Sequence, residues 1–170
     1  MSRKLEIKQI YKVASNNWFH ITRRRFLNKI KSEGLSPGKN VGFGFTQAAL
    51  EQFYKYYDIW PIFISKEPWL TKKEVEDNEL VVLSIDITGL KLTTDLPSLI
   101  DHMAYVSDYD EGIIYWGSDL PKELEGFDSD GEFFINDFLK DEDLIKAAIK
   151  LTGTAAVMSN IPPDKIKVIE

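Results

Sequence analysis

His20 and the arginines at 23, 24 and 25 fall within the stretch WFHITRRRFLNKIKSEGLSP, residues 18–37. An imidazole beside three permanently charged guanidiniums is a set of groups suited to a compact anion, a polyphosphate in particular. Two later positions also carry usable groups: Ser65 closes the apolar run WPIFIS, and Glu132 opens GEFFIND. A carboxylate there can act as a base or stabilise positive charge that develops in a transition state. Metal chemistry is not suggested by the spacing, since the two histidines lie 82 residues apart, no cysteine is present and no H-x-x-x-H occurs. The DSDG run before Glu132 resembles a calcium loop, yet matching Gly131 to an EF-hand glycine places Gly126 where the first carboxylate must stand. P-loop, dinucleotide-fold and hydrolase-elbow glycine motifs are also missing from the sequence.

These groups must be positioned by the elements around them. Trp18–Ile21 reads as a short buried strand, and Phe26, Leu27, Ile30 and Leu35 then recur at helical spacing, with Thr22 as N-cap and Gly34 just past the end. A strand that runs into a helix presents free N–H groups and a positive dipole end, so His20 and the arginines would surround an anion site. SPGKNVGFGF, residues 36–45, reads as a binding loop in which Gly42 and Gly44 flank Phe43, although glycine in a loop most often answers to turn geometry. A helix is expected over 46–57, a strand over Trp60–Ser65, and a solvated helix over 71–78. The strongest strand signal is ELVVLSIDI, residues 79–87, whose VVL run marks a central strand. A helix over 96–106 contains His102, which is given no role, and strands are expected at 112–116 and 131–137. DEDLIKAAIK, residues 141–150, is a helix with an acidic first turn, and TAAVMSNIPPDKIKVIE reads as strand, Pro-Pro turn and strand. Residues 5–13 fit neither period. Six or seven strands with four helices in no βαβ rhythm give an α+β fold, as one domain over 1–170.

Composition narrows the partners. Residues 1–40 hold ten Lys/Arg against two Glu, a balance of +8 that leaves −14 for the rest of a chain whose net charge is −6. An extended nucleic-acid duplex calls for a net basic domain, so a single polyphosphate or a basic protein surface fits better. Alternatively, the basic end pairs with the acidic remainder. The absence of cysteine rules out disulfides and thiol nucleophiles and suits a reducing compartment, with the cytoplasm as the expectation. No eighteen apolar residues run together and the N-terminus has no continuous apolar core, so neither a membrane segment nor a signal peptide is expected.

FHITRRRFLNKIKSEGLSP resembles the opening of ADP-ribosyltransferase-fold proteins, especially the bacterial DNA-modifying toxins and the RNA 2′-phosphotransferases. PIFISKEP resembles that family's second-motif strand, ELVVLSIDITGLKL its next long strand, and GEFFINDFLKDEDLI its catalytic-glutamate strand. The resemblance implies split antiparallel sheets flanked by helices and a chain that takes NAD as substrate without a metal. It implies a mono-ADP-ribosyltransferase acting on a protein or nucleic-acid acceptor, of toxin, effector or phage-borne type.

By that resemblance His20 would bond the ribose or nicotinamide side of NAD, and Arg23, Arg24 and Arg25 would offer partners for the pyrophosphate. Thr22, Gly42, Phe43 and Ser65 would complete the binding wall, Ser65 in the nicotinamide pocket. Glu132 would bond the ribose 2′-hydroxyl and stabilise the oxocarbenium character that develops as nicotinamide leaves. The sequence departs from the pattern in two places. A tyrosine often stands where Ser65 does, and TAAVMSNIPPDKI also resembles the family's closing glutamate strand, with Thr154, Ala155 or Ala156 at the acid's position. On that second alignment the chain is a catalytically silent nucleotide-binding or partner-blocking module. Removal of an RNA 2′-phosphate, with the arginines as phosphate clamps, is a third reading.

Overall fold

In a computed structural model, described for residues 17–38, 56–102, 112–115, 120–127 and 132–169, strand β3 is the spine of the main sheet. Its sequence LVVLSID offers branched apolar side chains to both faces, and every residue of Leu80–Asp86 except the last is buried. Strand β1 (Asn17–Arg23) runs antiparallel to it over seven residue pairs, from Asn17↔Asp86 to Arg23↔Leu80. Four shorter strands complete the sheet: β2 (Ile62–Ser65), β4 (Leu92–Thr93), β7 (Thr154–Val157) and β8 (Ile166–Ile169). Their order is β4-β7-β2-β1-β3-β8, with each neighbouring pair antiparallel. Strands β5 (Ile113–Tyr115) and β6 (Glu132–Phe134) form a separate two-stranded ribbon. The architecture is α+β, an antiparallel sheet flanked by helices.

The helices are short: α1 spans Leu27–Glu33, α2 Lys72–Asp77, α3 Leu96–Asp101, α4 Asp137–Lys140 and α5 Glu142–Thr152. Of those described, α2, α3 and α5 begin at a side-chain cap. Thr71 opens α2 with a reciprocal capping box to Glu74, and Asp141 opens α5 by accepting from the N–H groups of Asp143 and Leu144. Gly153, in the left-handed region at φ 70°, closes α5.

Apolar side chains of Tyr57, Trp60, α3, α5 and the ribbon make one core cluster. Trp18, Ile30, Leu35, Ile62 and Ile64 join β3 and β7 side chains in a second, and Phe19, Ile21 and Val75 gather in a third. Among the described residues no helix is long and apolar enough to cross a membrane.

The start of α1 differs from expectation. Thr22 is not an N-cap; it lies inside β1, opposite Val81. The strand continues to Arg23, the Arg24 N–H donates to the Glu79 carbonyl at 2.9 Å, and a 3₁₀ turn over Arg24–Phe26 leads into α1 without a side-chain cap. The ladder to β3 holds the backbone through residue 23, which outweighs the local preference of a threonine for a cap. Among the described residues there are eight strands, one more than the seven expected segments, because β4 is a two-residue edge piece too short to show a period. The expected helix at 96–106 ends at Asp101, and 103–106 lie outside the described residues, as do 5–13, Gly42, Phe43 and 46–55.

Candidate functional site

Strands β1 and β2 are hydrogen-bonded neighbours at a single residue pair, Phe19↔Ser65. Beyond it they part, and a cavity of about 480 Å³ lies there, within the size range of small-molecule sites. Its walls are residues 19–23 of β1, Pro61–Ser65, Phe26 at the end of the 3₁₀ turn, and the flank of α1 carrying Lys29, Ile30 and Glu33. Asp95, Ser98 and Asp101 line it from the start and end of α3, and Thr154 from the start of β7.

His20 sits where the strands separate. Its Nδ1 lies 2.7 Å from the Phe63 carbonyl, an oxygen that can only accept, so Nδ1 carries the proton. Burial lowers the imidazole pKa below 6.5, against the opposing pull of the Phe63 carbonyl. The neutral ring therefore leaves Nε2 as an acceptor. A depressed histidine pKa favours the fold while the ring is neutral in both states. That stability is present above pH 6.5 and lost as pH falls from there toward the folded-state pKa, because the unfolded chain takes up the proton first. Stability measured by urea denaturation should decline between pH 7 and pH 5, and His20→Gln should flatten that decline. An unchanged slope in the variant would show that His20 is not the group responsible.

Asp95 was not singled out from the sequence, although it is the buried carboxylate of this wall, 3 % exposed. It accepts from the Ser98 N–H at 3.0 Å and the Ser98 hydroxyl at 2.8 Å. Burial raises its pKa, offset by those two bonds and by the Thr154 hydroxyl. The turn that carries it is pinned by Tyr57, whose hydroxyl donates to the Thr94 carbonyl at 2.6 Å and accepts from the Leu96 N–H at 2.7 Å. Burial and the nearby Asp95 charge together push the Tyr57 pKa well up, so the phenol keeps its proton. The sequence signal for this corner was Asp95-Leu96-Pro97-Ser98, an N-cap with proline in the first turn. That pattern marks a helix start but says nothing about what the cap faces.

The predicted site residues divide into two groups. His20, Thr22, Arg23 and Ser65 line the cavity together. Arg24, Arg25 and Glu132 do not. The Arg25 guanidinium lies over the Phe26 ring, 4.8 Å from its centre, and Arg24 is exposed in the 3₁₀ turn. The α1 contribution to the wall is its flank, not its N-terminus. Glu132 is half-buried on the β5–β6 ribbon, opposite Tyr115, while the strand beside Ser65 is β7, with Ser65↔Thr154 and Ile64↔Ala155. Gly42 and Phe43 lie outside the described residues. Among the described residues no group of three or more His, Asp or Glu is placed to hold a metal ion.

No protein-family model matches the chain, and neither curated proteins nor solved structures show a match to it.

Proposed function

We propose that the cavity between β1 and β2 binds a nucleotide of the NAD type, in a chain with an ADP-ribosyltransferase-like arrangement. The observation that carries this reading is the convergence of His20, Thr22, Arg23 and Ser65, from two distant stretches, on one small-molecule-sized cavity. Phe19, beside Ser65, and Arg23 are four residues apart on β1, about 13 Å at the usual strand rise. The cavity thus has a cationic end, Arg23 with Lys29 on the facing helix, and a hydroxyl- and carboxylate-bearing end at Ser65, Thr154 and Asp95. Phosphates belong at the first. Binding without turnover is the form best supported, since β7 stands beside β2 with Thr154, Ala155 and Ala156 where the resemblance would put an acid.

ADP-ribosyl transfer is the second reading, favoured by the Asp95 carboxyl in the same wall. There the bond between nicotinamide and ribose breaks, nicotinamide leaves with the bonding pair, and a nucleophile from the acceptor attacks the ribose carbon. Asp95 would take the charge-stabilising role first expected of Glu132.

Titration calorimetry with NAD and ADP-ribose tests the proposal. Both should bind, Arg23→Ala should weaken both about tenfold, the loss of about 1.4 kcal/mol expected of one phosphate contact, and Glu132→Ala should leave binding unchanged. Failure of wild type to bind either compound would overturn it. Nicotinamide release by wild type that is lost in Asp95→Asn selects the second reading, and loss in Glu132→Ala instead returns the acid to the ribbon.

A further inference from the structure

Away from the cavity, the β5–β6 ribbon turns one face to the core and the other outward. Ile114, Phe133 and Ile135 point inward and are buried, with the Phe133 ring 5.5 Å from that of Phe138. Strand alternation therefore places Ile113, Tyr115, Glu132 and Phe134 on the outer face, and the register sets Tyr115 opposite Glu132 and Ile113 opposite Phe134. An antiparallel ribbon covered on one side ordinarily carries polar residues on the other. Here only Glu132 is charged, while Phe134 is 54 % and Tyr115 38 % exposed. None of the four lines the cavity, so this face is separate from the site described above.

We infer that the outer face of this ribbon docks a short basic segment of another protein, an arginine flanked by apolar side chains. Charge selects the partner. Residues 108–137, which contain both strands, hold ten Asp/Glu against one Lys, a balance of −9 that leaves +3 for the rest of the chain. Nucleic acid and anionic lipid are repelled by such a segment, whereas a cationic chain is drawn to it. The face repeats that preference at close range. Glu132 is directly across from Tyr115 and two residues from Phe134 on its own strand, so one carboxylate neighbours two aromatic side chains on the same side of the ribbon. A guanidinium pairs with a carboxylate and stacks on an aromatic ring, and the apolar neighbours of that arginine would cover Ile113 and Phe134. Size sets the scale of the contact. Two three-residue strands give a face about 10 Å long. A standard stable interface takes about 800 Å² from each partner, far more than this ribbon offers. A peptide-sized anchor fits it, and a second copy of the chain docked ribbon to ribbon does not. The inference is independent of the nucleotide reading.

Fluorescence anisotropy on the full chain tests it with labelled decapeptides that alternate Arg with Leu, Arg with Ser, or Glu with Leu. The Arg–Leu peptide should bind, the Arg–Ser peptide about tenfold more weakly for want of apolar contact, and the Glu–Leu peptide not at all. Phe134→Ser should weaken the Arg–Leu peptide about tenfold and leave the Arg–Ser peptide within about twofold of wild type. Its folding is checked by circular dichroism, and Tyr115→Ser on the same face takes its place if it does not fold. Equal affinity for the two arginine peptides would reduce the attraction to net charge and overturn the inference. Binding of none of the peptides, binding of the Glu–Leu peptide, or an Arg–Leu affinity unchanged in the folded variant would overturn it as well. Two further results would give the face a different occupant and refute the assignment: a dimer of the chain in sedimentation that Phe134→Ser dissociates, or binding to phosphatidylserine vesicles that the same variant abolishes.

Discussion

Tyr57→Phe should lower the stability of the chain by about 3 kcal/mol, because it strands two buried backbone groups at about 1–3 kcal/mol each. The tyrosine is 3 % exposed and its hydroxyl is a two-way link, giving its proton to the Thr94 carbonyl and taking that of the Leu96 N–H. Phenylalanine fills the same space and keeps the edge-on ring contacts to Trp60 and Phe63 at 6.1 Å. The loss is therefore polar, and it falls on both sides of Asp95. The Thr94 hydroxyl still donates to the Phe138 carbonyl at 2.5 Å, so the turn stays attached to α4 while it loses its grip on the Tyr57 side. Ligand affinity should fall along with stability, since the carboxylate in the cavity wall depends on this turn for its place. Urea denaturation measures the first effect and calorimetry the second. A variant within about 0.5 kcal/mol of wild type, the usual range for a neutral surface change, would mean that the hydroxyl is dispensable.

That link also shows where sequence reasoning stops. A capped helix start at Asp95 with proline in its first turn is local information and readable from four residues. Its arrival beside Thr154 depends on β4 pairing with β7, Thr93 against Ala156, across more than sixty residues of chain. Nothing in either segment's periodicity names the other as partner. The same holds for Ser65, whose position at a strand end was legible in WPIFIS, while the identity of its neighbour was not. Two segments, one containing Glu132 and one containing the alanines at 155 and 156, were equally able to occupy that place. The structure puts β7 there and Glu132 on the ribbon.

The strands were more legible than the charges. Leu80–Asp86 was marked by its unbroken branched-apolar run, and β1 by the apolar residues around His20. The arginine run looked like a single feature because its members are adjacent in sequence. Side-chain direction changes where a strand becomes a turn, so adjacent residues on either side of that point no longer serve one site. Arg23 is the last residue of the ladder and lines the cavity, and Arg24 and Arg25 follow the chain out of it. A boundary error of two residues, Ile21 against Arg23 at the end of β1, thus became an error about which guanidiniums face a ligand.

Gly34→Ala should be more damaging than any other glycine substitution in the described turns, at a cost of about 3 kcal/mol or more. Gly34 combines φ 79° with ψ −164°, a region open essentially to glycine alone, where other residues are strained by about 1–3 kcal/mol. An added Cβ would stand 2.1 Å from the Ile161 carbonyl oxygen, with the backbone carbons of Ile161 and Pro162 at 3.1 and 3.2 Å. That oxygen is not free to retreat: it accepts the Leu35 N–H at 2.9 Å, and the Ile161 N–H returns a 2.9 Å bond to the Leu35 carbonyl. The two-way bridge anchors the end of α1, whose flank is one wall of the cavity, so the variant should bind ligand more weakly as well. Gly89 supplies the control. It has a similar φ of 77°, but a Cβ there would meet nothing within 4 Å. Its replacement by alanine should cost only the left-handed backbone penalty, about 1–2 kcal/mol, and leave affinity unchanged. Equal losses in the two variants would mean that α1 is held by its apolar contacts alone, and that the tight approach of Gly34 to Ile161 contributes nothing to the shape of the site.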